Sequence, residues 1–180
     1  MTTDILSSNF FDLFNIPVSY EVDLDLIQQR YRELQKAIHP DNFVNASDQE
    51  KRISMQQTSW VNEALNTLKQ PVERAIYLLK INNIDINLEN ETTMDKEFLM
   101  EQMEMREELS DVRSKKDPLV ELDRIGLEIR NKMKVLDGDF SKAFTENEFD
   151  DAKELIRKMQ FLQKSKKEVI DLSISIEEEM

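Results

Sequence analysis

Leu34-Gln35-Lys36-Ala37-Ile38-His39-Pro40-Asp41 is the stretch at which the chain turns. Proline disfavours helical geometry at the residue before it, so a helix running up to Ile38 is expected to end at His39. His39, the only histidine of 180 residues, and Asp41 then sit on an exposed turn. Upstream, Leu24, Ile27, Tyr31, Leu34 and Ile38 recur at steps of three and four and make one apolar stripe, with Asp23 placed to cap the helix. Downstream, Ile53, Trp60, Ala64 and Leu68 make a second stripe, and Ser47 precedes Glu50 at capping-box spacing. Two long helices, about 23–38 and 48–69, are therefore expected to pack as an antiparallel pair with a polar tip between them.

Outward from this pair, Asn9 or Ser8 can cap a short helix holding Phe10, Phe11, Leu13 and Phe14, closed by Pro17, with its aromatics as core plugs. Gln70-Pro71 restarts the chain, since proline suits a first helical turn, and Val72, Ala75, Ile76, Leu78 and Leu79 form a fourth, largely apolar helix. Residues 82–93 are polar and without period, which predicts a linker between one domain over 1–81 and another over 94–176.

The second domain reads as three helices. The first covers about 94–112. The second starts at Pro118 and follows Leu119, Leu122, Ile125, Ile129, Met133, Leu136, Phe140 and Phe144. The third, with Thr145 and Glu148 as a capping box, follows Ala152, Leu155, Met159, Leu162 and Val169. The predicted class is all-α, a helix pair with its turn followed by a three-helix bundle.

Composition limits the function. Two glycines, four prolines and 34% charged residues suit a mostly helical protein. A net charge of -13 argues against generic binding to nucleic acid or an anionic membrane. With no cysteine and one histidine there is no thiol chemistry and no plausible zinc site, so neither metal nor cofactor is expected. No run is long enough to span a membrane and no signal pattern opens the chain, which predicts a cytoplasmic protein. His39 with Asp41 has no nucleophile, phosphate loop or second histidine beside it, so an enzyme is not expected.

Two surfaces stand out instead. On the helix before the turn, Arg30, Arg32 and Lys36 lie off the apolar stripe with only Glu33 among them, a local basic patch. On the first bundle helix, at about 100° per residue, Met94, Phe98, Met105, Leu109 and Val112 share the core side. Leu99, Met100 and Met103 fall about 100° to 200° away, and Phe161 lies off its own helix's stripe. Rimmed by Glu104, Arg106, Glu107 and Asp111, these apolar side chains fit a protein-docking surface, or a face that the N-terminal domain covers. Residues 89–111 carry nine acidic against two basic side chains, which would favour a basic partner.

The His39-Pro40-Asp41 turn between two helices, with Phe10-Phe11-Asp12-Leu13-Phe14 before it and the Val61-Asn62-Glu63-Ala64 run after it, resembles the J domain of DnaJ-type co-chaperones. Phe98-Leu99-Met100-Glu101-Gln102, Arg106-Glu107-Glu108-Leu109 and Arg157-Lys158-Met159-Gln160-Phe161-Leu162 narrow the resemblance to the HscB branch, which serves iron-sulfur cluster assembly. The resemblance implies an L-shaped molecule with a C-terminal oligomerisation and scaffold-binding domain. It implies that His39, Pro40 and Asp41, with Arg30, Arg32 and Lys36, engage an HscA-type chaperone of the DnaK class and stimulate its ATPase. It also implies that Leu99, Met100, Met103, Glu104, Arg106, Glu107 and Phe161 bind the scaffold IscU. Glu33 within the basic patch departs from the denser Lys and Arg run of general J domains, which suits a dedicated chaperone. The alternative is a general J-domain protein that delivers unfolded clients to DnaK.

Overall fold

The computed structural model describes residues 5–39, 41, 47–86 and 95–179. Among the described residues there are seven α-helices and no strand. The chain divides into two units, Met1–Ile84 and Asp85–Met180. No helix is long and apolar enough to cross a membrane.

In the first unit, α1 (Phe10–Leu13) begins at Asn9, whose side-chain oxygen accepts the N–H groups of Phe11 and Asp12 at 3.0 and 2.9 Å. It works as an aromatic plug. Phe10 stacks on Tyr77 at 4.3 Å between ring centroids and meets Trp60 edge-on at 5.0 Å, while its N–H donates to the Tyr77 hydroxyl. The helix ends before Pro17: Asn15, at φ 51°, closes it in a Schellman turn in which the Ile16 N–H donates to the Phe11 carbonyl.

α2 (Leu24–Ile38) is capped by Asp23, and α3 (Asp48–Lys69) by Ser47 in a complete capping box with Glu50. Both caps are as the sequence predicts. Asn62 accepts from Tyr31 and Gln35 at 3.0 and 2.8 Å, and the Ser54 hydroxyl donates to the Ile38 carbonyl at 2.6 Å. Rising positions on α2 thus meet falling ones on α3, which makes the pair antiparallel. α4 (Pro71–Ile81) buries Val72, Ala75, Leu78 and Leu79 and carries proline in its first turn. Arg74 is buried with it, donating to the Leu68 carbonyl and lying over the Tyr20 ring.

The stripes need correction. Leu24 and Ile53 are exposed, and α3 buries Ser54, Val61, Ala64 and Leu68 in place of Ile53 and Trp60. Ala64 and Leu68 are buried as expected, whereas in the earlier part of α3 the inward face passes through Ser54 and Val61, because Ser54, polar but needed at the Ile38 carbonyl, occupies a core position that an apolar count passes over.

The second unit comprises α5 (Lys96–Asp111), a 3-10 turn at Val112–Ser114, α6 (Pro118–Thr145) and α7 (Phe149–Glu178). Phe98, Met105, Leu109 and Val112 are buried as the wheel predicts, whereas Met94 lies outside the described residues. α5 meets α6 through a ladder of charges: Arg124 pairs with Glu108 and Glu121 at 2.7 Å, and Lys132 with Glu101 at 2.8 Å. Burial works against the Lys132 charge, yet hydrogen bonds to Glu101 and Glu128 outweigh it and raise its pKa.

Two expectations on α7 fail. Ile156, not Leu155, is the buried residue of its second turn. Thr145 and Glu148 form no capping box: Thr145 is the last residue of α6 and donates back to the Ser141 carbonyl at 2.7 Å. Asn147, at φ 60°, then closes α6 in a Schellman turn, and Glu148 stands at the start of α7 without a side-chain cap.

Candidate functional site

The end of α2 is anchored from α3, and of the polar tip expected over residues 40–46 only Asp41 lies among the described residues. The last carbonyl of α2, that of Ile38, is held by Ser54, and His39 leaves helical geometry at φ -57°, ψ 132°, as a residue before proline must. Pro40 itself lies outside the described residues. The Asp41 N–H donates to His39 Nδ1 at 3.2 Å, so the neutral imidazole carries its proton on Nε2. An Asp41 carboxylate oxygen lies 3.5 Å from the same nitrogen. Both side chains are exposed, the imidazole by 52% and the carboxylate by 85%. The structure therefore presents an imidazole and a carboxylate together, both exposed, at the end of α2.

One turn and more back along α2 lie the three basic residues. Arg32 and Lys36 are exposed, and Arg32 Nε donates to the Gln28 carbonyl at 3.2 Å. Arg30 is half-buried and pairs with Glu33 at 3.1 Å. Hydrogen bonds from Gln29 and then Arg30 hold the Glu33 carboxyl below its ordinary range, so it stays anionic and offsets part of the basic patch.

The second candidate surface is shared by α5 and α7. Met100 and Met103 are 63% and 71% exposed, while Leu99 is half-buried. Glu104, Arg106 and Glu107 are exposed on the same helix. Phe161, expected off the core, is only half out of it. Its ring stands edge-on to the buried Phe98, 5.7 Å between centroids at 87°, and packs against the bundle's apolar cluster. The Arg106 guanidinium lies 5.7 Å from the Phe161 centroid, so the two helices compose one surface of apolar and charged groups.

Two further residues had no place in the wheel. Asp95 caps α5 by accepting the N–H groups of Glu97 and Phe98, and its other oxygen is 2.6 Å from Lys158 Nζ on α7. An aspartate before a helical run is a legible cap signal; its pairing with a residue 63 positions away is not. Among the described residues no group of three or more His, Cys, Asp or Glu side chains could hold a metal ion.

A family model, the HSCB C-terminal oligomerisation domain, matches residues 94–170. A co-chaperone protein HscB homolog from Shewanella woodyi is 41% identical over 159 residues, which cover 87% of this chain and 91% of that protein. Among solved structures, chaperone HscB from Vibrio cholerae matches at TM-score 0.85 and 36% identity, over 94% of this chain and 99% of that one. Human co-chaperone protein HscB matches at TM-score 0.87 and 31% identity, over 94% of this chain and 84% of that one.

Proposed function

Because this chain belongs to the HscB family of co-chaperones, we propose that it brings the iron-sulfur scaffold IscU to an HscA-type chaperone and stimulates that chaperone's ATPase in the cytoplasm. The observation that carries the first half is the α5–α7 surface. Met100 and Met103 are exposed on α5 with Leu99 half-buried, Arg106 of the same helix lies over Phe161 of α7, and with Glu104 and Glu107 these residues give a mixed apolar and charged surface suited to one folded partner.

The second half rests on the turn. His39 and Asp41 project from α2 on a backbone held by Ser54, and Arg30, Arg32 and Lys36 supply positive charge alongside. With Pro40 they contact the chaperone's ATPase domain. Contacts made better with the hydrolysing arrangement than with the resting one shift the chaperone toward hydrolysis. Hydrolysis itself takes place on the partner, and this chain contributes binding energy only.

Steady-state ATP hydrolysis by the HscA-type chaperone, measured with and without this protein and the scaffold, tests the proposal. Synergistic stimulation that needs both proteins is expected, and His39→Gln should abolish it while leaving scaffold binding and the fold intact. Stimulation indifferent to the scaffold, or loss of both activities in a folded His39→Gln protein, would contradict it.

A further inference from the structure

A single line of contacts crosses the second unit from the start of α5 to the candidate docking surface. Asp95 Oδ2 lies 2.6 Å from Lys158 Nζ, and that ammonium lies 5.4 Å from the centroid of the Phe98 ring. Phe98 in turn meets Phe161 edge-on, and Arg106 lies over Phe161. Lys158 and Phe161 are one turn apart on α7, so that helix grips the Phe98 ring between an ammonium and an aromatic edge.

The ring side of the contact is sheltered and the carboxylate side is not: Phe98 is 8% exposed and the Lys158 side chain 19%, whereas the Asp95 side chain is 36% exposed, so the lysine stem packs at the ring while its ion pair stands nearer water. Asp95 is tied at both oxygens, one by the α5 backbone and one by Lys158. Lys158 also lines a cleft of about 260 Å³ together with Asp95, Phe98 and Leu162. The half-buried Phe161 ring is thus braced by Phe98 on one side and flanked by Arg106 on another.

We propose that Lys158 is a positioning residue for the docking surface: anchored by Asp95, it holds Phe98 edge-on to Phe161 and so sets the orientation in which Phe161 meets the scaffold. The inference rests on the reading that Phe161 contacts the scaffold. It assigns to Lys158 no contact of its own with that partner.

The test is a double-mutant cycle in the full chain, with affinity for the purified apo-scaffold IscU as readout. Lys158→Met keeps an unbranched apolar stem, one atom shorter, and removes the charge, and is expected to weaken binding about two- to five-fold, the scale of a cation–π contact. Lys158→Arg should restore affinity to within about two-fold of the parent. In a Phe161→Ala background, Lys158→Met should cost nothing further, because the ring it orients is gone. Asp95→Asn, which retains a capping oxygen but loses the ion pair, provides the second variant and should weaken binding in the same direction. Full, additive losses in the Phe161→Ala background would overturn the proposal, since a merely structural lysine would act with or without that ring. Wild-type binding by Phe161→Ala alone would overturn the docking reading itself, and the role of Lys158 with it.

Discussion

Ser54 holds the end of α2, although nothing about a serine in an amphipathic helix announces it. Its hydroxyl is buried, 2.6 Å from the Ile38 carbonyl, one of the terminal carbonyls that a helix leaves without an intrahelical partner. Ser54→Ala would leave that acceptor buried and unmet, at a cost of about 1–3 kcal/mol. Urea unfolding followed by Trp60 fluorescence should register the loss, and an unchanged midpoint would mean that the carbonyl finds another donor. Asparagine carries a comparable load at helix ends. Asn15, Asn83 and Asn147 take positive φ and close α1, α4 and α6, each with the following N–H donating five residues back. Neither of the two glycines, Gly126 and Gly138, stands at such a position, and asparagine is the next residue that tolerates it.

α5 has two faces with different work. Phe98, Met105 and Leu109 secure it to the bundle, the charges of Glu101 and Glu108 reach Lys132 and Arg124 on α6, and Met100 and Met103 face solvent. Replacing both exposed methionines by alanine should leave the thermal midpoint of the protein nearly unchanged, within about 0.5 kcal/mol of stability, while weakening scaffold binding. Phe161→Ala should behave differently, weakening binding and also costing about 1–3 kcal/mol of stability, because half of the ring packs on Phe98. Calorimetry of the two variants beside their scaffold affinities separates the effects. A large stability loss from the methionine pair would mean that those side chains are packed rather than presented.

Across the whole molecule the charge is -13, yet individual carboxylates are locally stabilised as anions. Hydrogen bonds from the Ser47 hydroxyl and then its backbone hold Glu50 below its ordinary range. Lys158 does so first for Asp95, and Arg124 for Glu121. A carboxyl whose folded pKa is depressed contributes stability that is complete above its unfolded pKa, near 4, and is lost as pH falls through the lower folded value. The melting temperature should therefore stay level from pH 7 to about 5 and fall below about 4, with both helix caps and the α5–α7 tie weakening together. A midpoint that rises on acidification would mean that relief of the molecule's negative self-repulsion outweighs these local pairs.

The sequence by itself determined the helices and most of their beginnings. Asp23, Ser47 with Glu50, Pro71 and Pro118 act through bonds or backbone preferences within a few residues, so their effect is written locally. It also determined the all-α class and the family, because the His39-Pro40-Asp41 turn and the segments around Phe98 and Phe161 are contiguous motifs. The inward residues of the second half of α3, Ala64 and Leu68, were legible in the stripe, but only the tertiary structure decided that Ser54 turns inward in the first half, since its claim to the core comes from a carbonyl 16 residues away. It likewise decided that Phe161 is braced rather than free, and that Asp95 meets Lys158 across 63 residues. Such pairings depend on how two helices lie against each other, and a periodicity computed along one helix carries no term for its neighbour.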